Sequence, residues 1–77
     1  MTLQDLARGR IARIVAIDGP DEDLNAKLRE LGLTEGDEVE LLTRGPLGGQ
    51  PLAVRLNRTL IALRSAEASA VRIALSP

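Results

Sequence analysis

The 77-residue sequence has no cysteine, no histidine and no aromatic residue. Without cysteine there is no disulfide framework and no thiolate metal site, and the redox compartment stays open. Without histidine as well, the common nucleophile, the imidazole base and the soft-metal ligand are all missing, which leaves carboxylates and hydroxyls for chemistry. Lack of Phe, Tyr and Trp removes the stacking surface that proline-rich-peptide grooves and single-strand nucleic-acid platforms use. An excess of one charge is missing too: ten basic and eleven acidic residues, interspersed, leave a net charge of -1. A nucleic-acid footprint needs a basic excess or stripe, so no nucleic-acid partner is expected. No apolar run approaches the roughly 20 residues of a membrane span, and the stretch Met1 to Leu6 has neither a basic nor an apolar leader region. These absences predict a soluble cytoplasmic domain.

What is present reads as one domain over 1–77, able to bury only about 60 to 65% of its unfolded surface. Thr2 and Asp5 have capping-box spacing, Leu3 and Leu6 supply anchors, and Gly9 closes the segment, which predicts a short helical turn near 3–8. The β-branched run Ile11, Ile14, Val15 and Ile17 predicts a strand. Ala12 and Ile14 share one face while Ile17 falls out of phase, which predicts a β-bulge near Val15 or Ala16. Gly19-Pro20 ends that strand, and Asp21-Glu22-Asp23 place negative charge at a helix start. Leu24, Leu28 and Leu31 then form one apolar stripe, giving a helix over about 22–31. Gly32 fits the left-handed closing position, with Leu33 packing back on Leu28, and Thr34-Glu35-Gly36-Asp37 reads as a tight turn.

Val39 and Leu41 alternate with charged residues in a strand ending near Arg44. Gly45-Pro46-Leu47-Gly48-Gly49-Gln50-Pro51 reads as a projecting loop. It is no phosphate loop, because no Lys-Ser or Lys-Thr follows and the next element is a strand. Leu52, Val54 and Leu56 pair across Asn57-Arg58 with Ile61 and Leu63 as a hairpin, Ser65 to Ser69 is a small helical turn, and Val71, Ile73 and Leu75 form the last strand. Five short strands with one inserted helix and two minor turns predict a mainly β fold, a small and strongly curved barrel.

In their order, four blocks of this chain resemble the FeoA family: Leu3 to Gly9 leading to Ala12-Arg13-Ile14, the run Leu28 to Gly36, then Pro46-Leu47-Gly48-Gly49, and last Ile61 to Ala68. The resemblance spans nearly the whole chain and implies an SH3-like five-stranded barrel with a helix after the first strand. It also implies a cytoplasmic accessory protein of ferrous iron uptake that supports or regulates FeoB, a membrane transporter with a cytosolic G-protein domain, and that reaches the membrane only through this partner. The chain departs from the family pattern twice, in Glu35, where proline is common, and in Gln50, an added residue between Gly49 and Pro51.

A partner-binding module is the leading expectation, with Pro46, Leu47, Gly48 and Gly49 as contact residues and Gly9, Gly32 and Gly36 as structural turn or cap residues. The alternative is a stand-alone SH3-like regulatory domain, similar to the C-terminal module of metal-dependent repressors of the diphtheria-toxin-repressor type. No enzyme is expected. The carboxylates of Asp21, Glu22 and Asp23, and of Glu35, Asp37, Glu38 and Glu40, fall on a helix start and an outer strand face and do not converge. No catalytic, cofactor-binding or metal residue is assigned, no cofactor is expected, and the oligomeric state is left open.

Overall fold

The computed structural model describes residues 1–75 of the chain. Strands β1 (Ile11–Ile17), β2 (Glu38–Gly45), β3 (Gly49–Leu56), β4 (Thr59–Leu63) and β5 (Val71–Leu75) form one antiparallel sheet in the order β4-β3-β2-β1-β5. Helix α1 (Glu22–Glu30) connects β1 to β2, and the short helix α2 (Ser65–Ser69) connects β4 to β5. This is the mainly β architecture with one inserted helix expected from the strand count.

The bulge falls where the phase of the apolar residues puts it. Pairing of β1 with β5 shifts between Ile14 and Ala16, so Val15 turns outward while Ala12, Ile14 and Ile17 all face the core. A bulge bends its strand and strengthens the local twist, which curls the sheet around its own apolar face. Fully buried Leu3, Leu28, Leu33, Leu41, Leu52 and Leu63 fill that interior. With no aromatic residue available, the core is aliphatic.

Helix α1 begins at an Asp21 cap whose Oδ1 accepts a hydrogen bond from the Asp23 amide at 2.9 Å. It ends in a Schellman closure: the Gly32 amide donates to Arg29 O at 3.0 Å and the Leu33 amide to Leu28 O at 3.2 Å. Gly32 holds φ at +104°, a conformation open to glycine and strained for other residues. Leu33, thrown inward by this closure, is fully buried. The following turn closes with the Asp37 amide on Thr34 O at 3.1 Å, Gly36 having positive φ. Gly36 N then donates to Ile14 O at 2.8 Å and Ile14 N to Asp37 O at 2.9 Å, fastening the helix exit to β1.

Two expectations need correction. The first helical turn covers only Leu3–Asp5, with Thr2 N donating to Asp5 Oδ2 at 3.0 Å. Gly9 belongs instead to a separate turn in which Arg10 N donates to Ala7 O at 3.0 Å, and its own amide donates to Leu41 O at 2.7 Å. Leu31 does not complete the buried stripe of α1: Leu28 is fully buried and Leu24 half-buried, but Leu31 is 40% exposed. It is the C-cap residue. Asn25 and Leu28 are the buried residues of this nine-residue helix.

Candidate docking surface

The segment Gly45 to Pro51 is less of a loop than its composition implies. Strand β2 continues through Gly45, which pairs with Gly49, and β3 already includes Gln50 and Pro51. Only Pro46, Leu47 and Gly48 lie outside the strands. Proline is tolerated there because the register jumps from the pair Arg44/Leu52 to the pair Gly45/Gly49, so Pro51 has no ladder partner for its missing N–H to disappoint. A Cβ on Gly45 would collide with the Gln50 carbonyl, so the two strands approach this closely only through glycine. The tip is cross-linked by Leu47 N to Gln50 O at 3.4 Å and Gln50 N to Leu47 O at 3.3 Å.

Pro46, Leu47 and Gly48 are exposed and Gly49 is half-buried. Leu47 is 78% exposed, the most solvent-accessible large apolar side chain among the described residues. The structure thus brings the four sequence-nominated contact residues to one hairpin tip. Gly9, Gly32 and Gly36 lie apart from it, in the backbone turns already described.

Gln50 anchors the tip to the rest of the domain. Its Oε1 accepts a hydrogen bond from Ser65 N at 2.9 Å, satisfying the first free amide of α2. The added residue in the loop therefore has a structural task. From the tip a groove runs back across the surface. Leu47, Gln50, Pro51 and Arg64 line its outer part, of about 360 Å³. Pro51 and Arg64 also border a second concavity of about 640 Å³, lined by Leu24 and Lys27 of α1, its C-cap Leu31, and Glu67 of α2.

Glu67, which also lines this concavity, is nearly fully buried. Its Oε1 accepts from Arg64 N at 2.8 Å and its Oε2 from Lys27 Nζ at 2.7 Å. The Arg64 amide first, and the Lys27 ammonium second, hold its carboxyl below the usual range. The carboxylate is thus consumed in capping α2 and clamping it to α1, while Lys27 remains largely exposed. Arg64 takes part in none of the ion pairs among the described residues.

Sequence reasoning missed this inner groove, because Arg64, Pro51 and Leu31 come from three separate elements. It also missed Asn25, which is buried and brackets the Gly19 backbone, accepting from Gly19 N and donating to Gly19 O, each at 2.9 Å. The available signal was its place three residues before Leu28, on the buried face of the helix.

Of the acidic residues, Glu35 and Asp37 belong to the turn before β2, and Asp37 and Glu40 are half-buried where exposure was expected. Asp21, Glu22 and Asp23 are exposed at the start of α1. Glu35 forms a two-pronged pair with Arg29, with distances of 2.9 and 3.1 Å, and Glu40 pairs with Arg55 at 3.3 Å. The Arg29 guanidinium draws the Glu35 carboxyl down to about 2. Among the described residues no three carboxylates gather closely enough to share a metal ion.

Comparison with known proteins places this geometry in a family. The FeoA domain family matches residues 1–75. The zinc-complexed FeoA of Stenotrophomonas maltophilia, a prokaryotic SH3-domain protein, superposes with a TM-score of 0.84 at 36% identity, over 96% of this chain and 89% of that one. Iron(II) transport protein A of Clostridium thermocellum superposes with a TM-score of 0.86 at 32% identity, over 97% of this chain and 45% of that one. A manganese-dependent transcriptional repressor reaches a TM-score of 0.87 at only 16% identity, over 99% of this chain and 41% of that one, which shows a common fold alone. No curated protein matches the sequence. With the SH3-like barrel, the inserted helix and the whole described length all matched, the chain belongs to the FeoA family of ferrous iron transport accessory proteins.

Proposed function

We propose that this chain is a non-enzymatic, cytoplasmic accessory protein that docks on the cytosolic domain of a FeoB-type ferrous iron transporter, with the hairpin tip Pro46 to Gly49 as its leading contact. The observation that carries the reading is Leu47, held 78% exposed on a cross-linked tip. A large apolar side chain presented in this way gains by burial against a partner, at about 25 cal/mol per Å² removed from water. A glycine-dependent, hydrogen-bonded tip also loses little conformational freedom on binding.

Family membership supports the transport context, and the Stenotrophomonas relative has itself been put forward as an activating factor of bacterial ferrous iron transport. The non-enzymatic reading rests on a sequence with no cysteine or histidine and on carboxylates already paired or spread over the surface. Attachment to the membrane would come through the transporter, since no helix among the described residues is long and apolar enough to cross a bilayer. Titration of the chain against the transporter in nanodiscs tests the proposal. Saturable binding that Leu47→Asp weakens strongly, with the thermal midpoint of the free chain unchanged, is the expected result. Equal binding by Leu47→Asp would reject the tip as the contact.

A further inference from the structure

The groove behind the tip has a chemistry of its own. Its apolar lining includes Leu24 of α1, the C-cap residue Leu31 and Pro51 of β3. Its charged groups are two cations and one anion, Lys27, Arg64 and Glu67. The anion is spent, since both Glu67 oxygens already accept hydrogen bonds inside the fold and the side chain is nearly fully buried. Lys27 gives Glu67 one of its three ammonium donors and keeps its side chain 59% exposed, while the exposed Arg64 forms no ion pair among the described residues. What the groove offers an incoming chain is therefore apolar surface bordered by the Arg64 guanidinium, unpaired among the described residues, and by the remaining donors of the paired Lys27 ammonium, with no free acceptor carboxylate. Arg64 and Pro51 also line the outer concavity beside Leu47, so groove and tip form one continuous surface.

We propose that this groove takes an acidic, amphipathic peptide segment of the partner: apolar side chains against Leu24, Leu31 and Pro51, and a carboxylate reaching Arg64 and Lys27. Charge complementarity selects that occupant. A basic segment would bring like charge to Arg64 with no carboxylate available to relieve it, and a purely apolar segment would leave the cations desolvated without partners. Arg64 suits the task, because its planar guanidinium matches a carboxylate bidentately. The inference deepens the docking reading by naming the chemistry of the partner segment, and it can fail separately from it.

The test uses the isotope-labelled full chain and 15-residue synthetic peptides tiling the cytosolic domain of the transporter. Each acidic, amphipathic peptide is paired with a copy whose carboxylates are replaced by lysine. Amide shifts in NMR spectra locate binding, and the same chain carrying Arg64→Glu or Leu31→Asp reports on the groove. The expected result is that one or more acidic peptides shift the amides of Leu24, Leu31 and Arg64, that their lysine copies do not, and that Arg64→Glu weakens binding about tenfold or more. Binding should also weaken with salt, as the Debye length shrinks from about 10 Å at 0.1 M. Arg64 also favours the Glu67 carboxylate and Leu31 is only 40% exposed, so thermal midpoints are compared with the parent, and Arg64→Gln and Leu31→Ser, which add no charge, carry the test where a midpoint falls. Binding of lysine copies as well as their parents, shifts confined to other faces, or no peptide bound at all would overturn the proposal. If the intact transporter binds but neither variant weakens it, the groove assignment fails while docking stands. If the intact transporter does not bind, the docking reading fails and the peptides alone decide the chemistry of the groove.

Discussion

Gln50 Oε1 accepts a hydrogen bond from the Ser65 amide at 2.9 Å, joining the hairpin tip that carries Leu47 to the first turn of α2, fifteen residues away in sequence. A residue that reads as a loop insertion is thus a strut between the hairpin and the start of α2. Gln50→Ala removes the acceptor for a helix-start amide and is expected to cost about 0.5 to 2 kcal/mol, the range for a lost N-terminal cap. Gln50→Glu, which keeps an acceptor, should recover most of it. Denaturant titration of the two variants reads this directly, and equal stability of Gln50→Ala and the parent would remove the strut.

The Arg29–Glu35 pair spans the closure of α1 and gives a pH signature. The folded carboxyl lies at about 2, below its ordinary value near 4.5, so the fold favours the ionised form. Its contribution is complete above about pH 4.5 and disappears as pH falls through about 2. Glu67 and Asp5 are shifted in the same direction, so the useful quantity is the difference between variant and parent. Glu35→Gln should have the lower thermal midpoint at pH 7, with the gap narrowing as pH is taken from 5 to 2. Because both side chains are largely exposed, the gap should also shrink in high salt. A pH-independent gap would assign the effect to packing instead of charge.

Gly32→Ala isolates backbone strain. The added Cβ would lie 3.7 Å from Leu56 Cδ2, an ordinary contact, so the φ of +104° is the main source of any cost. That cost is expected at about 1 to 2 kcal/mol. Gly45→Ala should cost more, since its Cβ would meet the Gln50 backbone, which cannot move without breaking the tip. Comparing the two midpoints checks the order, and a milder effect at Gly45 would contradict the close approach of β2 and β3.

Asn25→Ala leaves both the amide and the carbonyl of Gly19 without their bracketing partner in a part-buried position. Unsatisfied buried polar groups cost about 1 to 3 kcal/mol each, and partial access of water to Gly19 brings the expected total toward the low end. Amide hydrogen exchange at Gly19 should accelerate in this variant more than exchange in β3, which separates local release from global loosening.

Much of this architecture is legible along the chain because its signals are local. The bulge at Val15 is written in the phase of Ala12, Ile14 and Ile17, and the helix bounds follow from Asp21 and Gly32 to within a residue. Failures come where long-range pairing overrides local chemistry. Gln50 and Pro51 look like loop residues, yet they lie on β3 because a register break absorbs the proline. Leu31 fits the apolar stripe, but it is the C-cap residue at the helix closure and stands 40% exposed. Glu67 is held in its buried place by the Arg64 amide three residues before it and by Lys27, forty residues earlier, and only the first of these partners is local. The hairpin tip was therefore readable, whereas the groove, assembled from α1, β3 and the start of α2, was not.

The most direct measurement is hydrogen exchange of the full chain with and without saturating FeoB-type transporter in nanodiscs. The docking account expects slower exchange at the amides of Leu47, Gly48 and Gly49, extending to Leu31 and Arg64 along the groove, with the outer face of β1 around Arg13 unchanged. Unaltered exchange at the tip and groove under saturating transporter, or protection confined to the β1 face, would contradict it.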